Sequence, residues 1–164
     1  KVIDRLVKLA FTPDGKLNRK YVGRDAKVFL RDAGIEPPAR DVHCLIMEVE
    51  RDHPFVQEEL MMPLLPIVRI DKIQEAMDFA VEVEHANRHT AVMHSKNIDH
   101  LTYLAKAIKT TIFVKNGPSY AGIGVGGEGF TTFTIAGPTG EGLTSARTFT
   151  RRRRCVLVDA LSIR

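Results

Sequence analysis

The sequence predicts an α/β fold built on a mainly parallel sheet with helices on both faces. Two observations lead to this prediction. Short β-rich runs alternate along the chain with amphipathic helical patterns, which is the order of elements in βαβ units. The 164 residues are 44% apolar and 27% charged, a balance typical of one globular domain with a core of its own.

The first part of the chain predicts two helices ahead of the first strand. Val2, Leu6 and Leu9 recur at helical spacing along one face of VIDRLVKLA. The stretch RDAKVFLRDAG predicts a second, short helix that ends at Gly34, because glycine readily adopts the left-handed conformation of a helix end. Prolines in EPPARD then separate this helix from the β-rich run VHCLIMEV.

The middle of the chain predicts a regular alternation of strands and helices. LPIVRI predicts a strand, and residues 71–89 predict a helix with Asp71 as its N-cap. TAVMHS predicts the next strand, NIDHLTYLAKAI a helix and TTIFVKN a further strand. This order favours parallel pairing, with the sheet covered on both faces.

Composition and charge exclude several classes of function. No run of about 18 apolar residues occurs, and the first residues do not resemble a secretory signal. We therefore expect a cytoplasmic protein with no membrane partner. The net charge is +4, and Arg151–Arg154 form a basic run. No aromatic side chains interrupt that run to stack on bases, so a solvated basic face is favoured over binding of nucleic acid or phosphate.

The two cysteines, Cys44 and Cys155, predict neither a disulfide framework nor a zinc knuckle, since they lie far apart in the sequence. Both are expected to be buried thiols. His43 cannot serve Cys44 as a base, because neighbouring residues on a strand point to opposite faces.

His85 and His89 have the i, i+4 spacing of metal ligands on the predicted helix. Ala86 stands where a metalloprotease motif requires glutamate, and no third ligand has a suitable spacing. We therefore predict no metal site.

A glycine-rich stretch contains the G-x-G-x-x-G spacing at Gly122, Gly124 and Gly127. NGPSYA separates these glycines from the preceding strand, and the following FTTFTI is not helix-forming, so a dinucleotide-binding turn is not predicted. The glycines instead indicate positive φ angles or close approach of a ligand, which makes the loop a candidate wall of an active site.

Glu58 and Glu59 stand immediately before an apolar run that enters the predicted sheet. Such a pair is either solvated or accepts hydrogen bonds from sugar hydroxyls, a contact to which carboxylates are well suited. The residues alone leave both interpretations open.

Three stretches closely resemble the C-terminal part of the CoA-acylating aldehyde dehydrogenases of bacterial microcompartments: EELMMPLLPIVRIDKIQEAMDFA, FVKNGPSYAG and GEGFTTFTIAGPTGEGLTSARTFTRRRRCVL. The likeness runs from about Val42 onward and is greater to the branch that serves propanediol utilization. It implies an NAD-dependent enzyme that converts a short aldehyde, with propionaldehyde favoured, to its acyl-CoA through a cysteine thiohemiacetal and thioester.

The resemblance also implies that the nucleophilic cysteine and the NAD-binding domain precede this segment in the superfamily. We therefore expect no catalytic residue in this chain and no dehydrogenase activity from the chain alone. The superfamily has a glutamate that holds the nicotinamide ribose, followed after one residue by Phe-Gly-Pro. Glu59 and Pro63 occupy the matching positions, whereas Met61 and Met62 replace the Phe-Gly. Phe130 occupies the place of an aromatic residue that lines the aldehyde pocket.

The resemblance divides the chain into part of the catalytic domain, residues 1–146, and an oligomerisation arm and strand, residues 147–164. Its expected partners are a small aldehyde, coenzyme A, other copies of the enzyme and the microcompartment shell, with the protein inside that compartment and no nucleic acid among its partners. The alternative is a non-catalytic α/β binding or assembly module that uses its terminal strand and arginine-rich arm.

Overall fold

A computed structural model describes residues 2–129, 144–156 and 158. The helices of this part are α1 (Val2–Ala10), α2 (Ala26–Asp32), α3 (Pro54–Gln57), α4 (Ile73–Val83) and α5 (Ile98–Ile108). The strands are β1 (Leu45–Glu48), β2 (Leu64–Ile67), β3 (Thr90–Met93) and β4 (Ile112–Lys115). Short 3-10 helices span Ser119–Ile123 and Ala146–Phe149. None of the helices in these ranges combines the length and apolar character needed to cross a bilayer.

The chain forms two compact units, residues 1–76 and 77–164. In the first unit, β1 and β2 pair in parallel with Leu45 opposite Leu64. Helix α1 buries Leu6 and Ala10, and α2 buries Phe29 completely. These side chains share one core with residues of the two strands and of the segment that connects them.

Helix α2 has the end signals that its sequence predicts. The Asp25 carboxylate accepts a hydrogen bond of 2.7 Å from the Lys27 amide and so caps the first turn. Gly34 follows the helix with φ of +68°. The predicted helix end at this glycine is therefore confirmed.

In the second unit, β3 and β4 pair in parallel with Thr90 opposite Ile112. Helix α5 lies in the crossover between them and begins at the N-cap Asn97, whose side chain accepts from two amides of the first turn. Buried residues of α4, β3 and α5 form one core, namely Met77, Met93, Leu101, Leu104 and Ile108.

The predicted α/β fold is confirmed, with the four described strands arranged as two parallel pairs. Of the predicted terminal strand, only Cys155, Val156 and Val158 are described, and they are not in a strand. The oligomerisation strand therefore stays a prediction.

Helix α4 ends at Val83, six residues before the predicted end at His89. His85 and Ala86 have φ angles of 51° and 60°, which a helix cannot accommodate. The Glu84 carbonyl accepts from both the backbone and the side-chain amide of Asn87, so local hydrogen bonds compete with the helix. His85 and His89 thus do not lie on one face of a helix. The prediction that the helix includes both histidines is wrong.

Tyr21 generates a prediction about stability. Its ring is buried with its centroid 4.9 Å from that of Phe29, and its hydroxyl donates a 2.6 Å hydrogen bond to Asp32. This hydrogen bond, followed by that from Lys20, lowers the pKa of the Asp32 carboxyl below 3.8 in the folded protein. We expect Tyr21→Phe to lower the midpoint of thermal unfolding by a few degrees at neutral pH, because the Asp32 carboxylate loses the hydrogen bond from Tyr21 and retains the one from Lys20.

The lowered pKa fixes the pH dependence of this effect. Stabilisation of the ionised Asp32 is present above 3.8 and is lost as the pH falls through the lower folded-state pKa. Unfolding followed by circular dichroism at neutral and at acid pH should therefore show the two proteins converging in acid. A difference that is equally large at both pH values would contradict the assignment.

Candidate functional site

Glu59 lies in the segment that joins α3 to β2, and its neighbours hold that segment in place. Leu60 is only 6% exposed and packs into the core of the first unit. The carbonyl of Met61 accepts a 3.0 Å hydrogen bond from the Gly23 amide. Pro63 precedes β2, and its carbonyl accepts a 2.8 Å bond from the Leu45 amide. The backbone on the carboxyl side of Glu59 is therefore anchored at Leu60, Met61 and Pro63.

The side chain of Glu59 itself is exposed. Within the described residues, no hydrogen bond or ion pair engages its carboxylate. A carboxylate held on an anchored backbone, with its oxygens facing solvent, can accept hydrogen bonds from two hydroxyls of a ligand.

Met61 adopts a left-handed conformation with φ of 51° and is 60% exposed. In the superfamily pattern, glycine stands one residue later, at the position of Met62. The residue that adopts positive φ here is therefore not the one that matches the superfamily glycine. This conformation costs a non-glycine residue about 1 to 2 kcal/mol, which the buried Leu60 and the Gly23 hydrogen bond help to offset.

The glycine-rich stretch does not lead from a strand directly into an α-helix, which is the arrangement of a dinucleotide-binding turn. After β4 the chain enters the 3-10 helix Ser119–Ile123, and residues 124–129 form turns and bends. A Cβ atom on Gly122 would overlap the side chain of Ile112, and one on Gly127 would lie 2.7 Å from the carbonyl oxygen of Ala121. Gly122 thus lets the loop approach β4, and Gly127 lets it pack on itself.

Other residues of this loop are exposed. Gly124 and Gly126 have φ of 93° and 71°, where a side chain would be strained. Tyr120 and Val125 are apolar, yet their side chains are 59% and 57% exposed. Phe130 follows directly in the sequence and lies outside the described residues. The loop therefore presents apolar side chains to solvent shortly before the predicted pocket residue.

Comparison with known proteins identifies the relatives of the chain, although no protein-family model matches it. Over 152 residues the chain is 55% identical to propanal dehydrogenase (CoA-propanoylating) of Salmonella typhimurium, an alignment that covers 93% of this chain and 33% of that protein. It is homologous to one third of a CoA-acylating aldehyde dehydrogenase. The predicted resemblance is thus confirmed.

Solved structures of CoA-acylating aldehyde dehydrogenases agree with this assignment. The propionaldehyde dehydrogenase of Rhodopseudomonas palustris with bound propionyl-CoA has 58% identity and a TM-score of 0.86, covering 95% of this chain and 34% of that one. A further structure of that enzyme contains CoA and an acylated cysteine. The propionaldehyde dehydrogenase of a fucose utilisation microcompartment of Clostridium phytofermentans has 56% identity and a TM-score of 0.85, covering 99% and 37% of the two chains. The chain spans about a third of the length of the relatives that it matches.

The expected burial of both cysteines is wrong for this structure, since Cys44 and Cys155 are exposed. Cys44 lies just before β1, in an apolar groove of about 450 Å³ lined by residues of α1, α2 and β1. The sequence suggested burial because the run around Cys44 is apolar. The groove on that side of β1 is instead open, and the thiol lies in it.

The sequence did not predict the polar cleft that the first unit contains. A polar cleft of about 720 Å³ opens at the carboxyl ends of β1 and β2. Arg51 and Arg69, which line the cleft, pair with carboxylates: Arg69 lies 2.7 Å from Glu48 and Arg51 lies 2.5 Å from Glu75. Within the described ranges, no group of three or more His, Cys, Asp or Glu side chains could hold a metal ion. The arginines at 151–154 are exposed.

Gly122 generates a prediction for the loop. Gly122→Ala would place a methyl group against Ile112 and should destabilise the protein by about 1 to 3 kcal/mol, the usual cost of overpacking. Chemical denaturation measures the change. Gly117→Ala is the matched control, because a Cβ there meets Val114 at an ordinary 3.5 Å and φ is not positive. Equal stability of the two variants would contradict the packing role.

Proposed function

We propose that this chain is the later part of the catalytic domain of an NAD-dependent, CoA-acylating aldehyde dehydrogenase. The observation that carries the proposal is the agreement of sequence and fold, 58% identity with a TM-score of 0.86 over 95% of the chain, with a propionaldehyde dehydrogenase bound to propionyl-CoA. A short aldehyde is the proposed substrate, with propionaldehyde favoured, and coenzyme A is the co-substrate.

The proposed reaction proceeds through a covalent enzyme intermediate. A cysteine thiolate of the enzyme adds to the aldehyde carbon, and the resulting thiohemiacetal loses a hydride and a proton to become a thioester. NAD, when bound, supplies the hydride acceptor. The thiolate of coenzyme A then takes the acyl group and releases the cysteine. An acylated cysteine in the Rhodopseudomonas relative supports this sequence, and the matching cysteine is proposed to lie outside this chain.

Glu59 is proposed to hold the nicotinamide ribose. Its exposed carboxylate has no partner within the described residues, and its backbone is anchored through Leu60 and Met61. Two ribose hydroxyls could donate to its two oxygens, which would fix the sugar and orient the ring attached to it. Pro63 contributes indirectly, because its carbonyl ties the segment to β1.

The pair of strands in the first unit supports the proposal that more of a catalytic domain packs against this chain. Ile46 and Leu65 lie opposite each other in the β1–β2 register and are 64% and 49% exposed. Parallel strands are normally covered on both faces. We propose that the remainder of the enzyme covers this apolar face and the adjoining groove that contains Cys44.

Partners and location are proposed from the relatives. The Clostridium relative comes from a bacterial microcompartment. We propose a cytoplasmic enzyme that resides within such a compartment, forms homo-oligomers through residues 147–164 and contacts the shell.

The role of Glu59 is tested by Glu59→Gln in the complete enzyme. The amide keeps the shape of the carboxylate but loses the charge, so its hydrogen bonds to ribose hydroxyls should weaken. We expect the KM for NAD to rise on the order of tenfold, the equivalent of one weakened charge-assisted hydrogen bond. Steady-state kinetics with varied NAD measures this change.

Glu58→Gln is the matched control for that experiment, since Glu58 is the neighbouring exposed carboxylate. It should leave the KM for NAD unchanged. Wild-type kinetics in Glu59→Gln, or the same increase in both variants, would show that the ribose is held elsewhere.

The role of Phe130 is tested by Phe130→Ala in the complete enzyme. Removal of a ring from the aldehyde pocket should favour longer aldehydes, and the ratio of kcat/KM between a longer aldehyde and propionaldehyde should change on the order of tenfold. Initial rates across a chain-length series measure the ratio. Phe149→Ala is the control: it removes an exposed ring from the proposed oligomerisation arm and should leave the ratio at its wild-type value, whatever its effect on assembly. Identical ratios in wild type and Phe130→Ala would exclude the pocket assignment.

A further inference from the structure

The side chain of Asn116 joins two loops at the carboxyl ends of β3 and β4. Its Oδ1 accepts a 2.7 Å hydrogen bond from the Ser95 amide, and its Nδ2 donates a 2.8 Å bond to the Ser95 carbonyl. The Asn116 amide donates a 3.0 Å bond to the carbonyl of Met93 and extends the ladder between the two strands. One carboxamide thus satisfies both backbone groups of Ser95, as a further strand residue would.

The backbone of Asn116 is left-handed, with φ of 54°. Among residues with a side chain, asparagine tolerates this conformation best. The positive φ turns the chain out of β4 and into the glycine-rich loop. Strained residues persist where their surroundings over-determine them, and such positions are frequent at ligand sites.

We call the two hydrogen bonds between the Asn116 side chain and the Ser95 backbone the clamp. The clamp connects two segments that are far apart in the sequence. On one side, the Ser95 hydroxyl accepts a 3.1 Å bond from the amide of Asn97, the N-cap of α5. On the other side, the chain continues from Asn116 into the loop that packs Ile123 and Gly122 on β4. The start of α5 and the start of the glycine-rich loop are thereby held together.

The clamp lies at the carboxyl ends of β3 and β4, and this position bears on the binding of a ligand. In open parallel α/β sheets, ligands bind outside the carboxyl ends of the strands. The loop that leaves β4 there presents Tyr120 and Val125 to solvent and leads to Phe130 in the sequence. A loop that lines a pocket for a small apolar substrate must be held in place, because small displacements of a pocket wall weaken binding.

We propose that Asn116 is a positioning residue for the aldehyde pocket: its clamp on Ser95 holds the glycine-rich loop where the loop contacts the aldehyde. This inference rests on the proposed function. Asn116 does not contact the reacting atoms itself, and its effect should fall on the binding of the aldehyde more than on the binding of NAD.

The test uses Asn116→Gly in the complete enzyme. Glycine accepts the positive φ and removes the side chain that carries the carboxamide, so the effect of the clamp is separated from backbone strain. We expect the KM for propionaldehyde to rise on the order of tenfold, as for the loss of two hydrogen bonds that hold a loop, with the KM for NAD unchanged. Amide hydrogen exchange at Ser95 should accelerate in the same variant, because its acceptor is gone.

Two further variants complete the design. Asn116→Asp keeps an acceptor for the Ser95 amide but places a carboxylate oxygen against the Ser95 carbonyl in place of the donor, so its KM for propionaldehyde should also rise. Lys109→Gly is the matched control, because Lys109 is also exposed and left-handed, with φ of 53°, but precedes β4 at its other end. It should have wild-type kinetics.

The outcomes separate this inference from the proposed function. A wild-type enzyme that does not form acyl-CoA would refute the proposed function. An active wild type with an unchanged KM for propionaldehyde in Asn116→Gly would overturn the positioning role. So would an equal rise in both KM values, since that indicates a general structural defect. If Asn116→Gly does not fold, Asn116→Asp decides: a rise in the aldehyde KM alone supports the role, and wild-type values reject it.

Discussion

Parallel strand pairing is the constraint on which the rest of this structure depends. Strands β1 and β2, like β3 and β4, run in the same direction, so neither pair can be closed by a hairpin. Each pair needs a crossover, and parallel strands normally have both of their faces covered. In β4 this is visible residue by residue. Phe113 packs toward the core that contains α5, whereas Ile112 and Val114 pack with Ile123 on the opposite face.

The glycine-rich loop can be understood from this constraint. It is the element that covers the second face of β4, and it can approach only because Gly122 has no side chain to meet Ile112. Gly122 and Gly127, two of the glycines in the spacing that resembles a phosphate-binding turn, therefore have a packing role. Among the residues that the structure describes, no loop covers Ile46 and Leu65 of the β1–β2 pair in this way, and both are exposed.

The sequence predicted those features that depend on local periodicity. Of the four described strands, β1, β3 and β4 lie within the predicted β-rich runs and β2 begins one residue before its run, while α5 lies within the predicted helical stretch NIDHLTYLAKAI. Features that depend on specific contacts were not predictable. Helix α4 ends early through hydrogen bonds between Glu84 and Asn87, although the residues beyond Val83 do not exclude a helix. The short helix α3 is signalled only by Pro54 after the His53 N-cap.

The candidate site was predicted by a different route. Periodicity does not distinguish Glu59 from Glu58, and composition does not distinguish Phe130 from other aromatic residues. Only the likeness of long motifs did so, and the structure adds what the motif cannot supply. Burial of Leu60 and the hydrogen bond that the Pro63 carbonyl accepts from the Leu45 amide fix the backbone around Glu59, while the exposed Met61 adopts the left-handed conformation.

This arrangement explains how the segment can depart from the superfamily pattern and still present a carboxylate. Leu60 and Pro63 have partners in the core and in the strand ladder, so a change at either would move the backbone. The Met61 side chain is 60% exposed, and its backbone carbonyl, not its side chain, accepts the bond from Gly23. Side-chain identity at Met61 is therefore less constrained than its backbone conformation. Methionine in place of phenylalanine at this position is compatible with a Glu59 that remains exposed and free to bind a ligand.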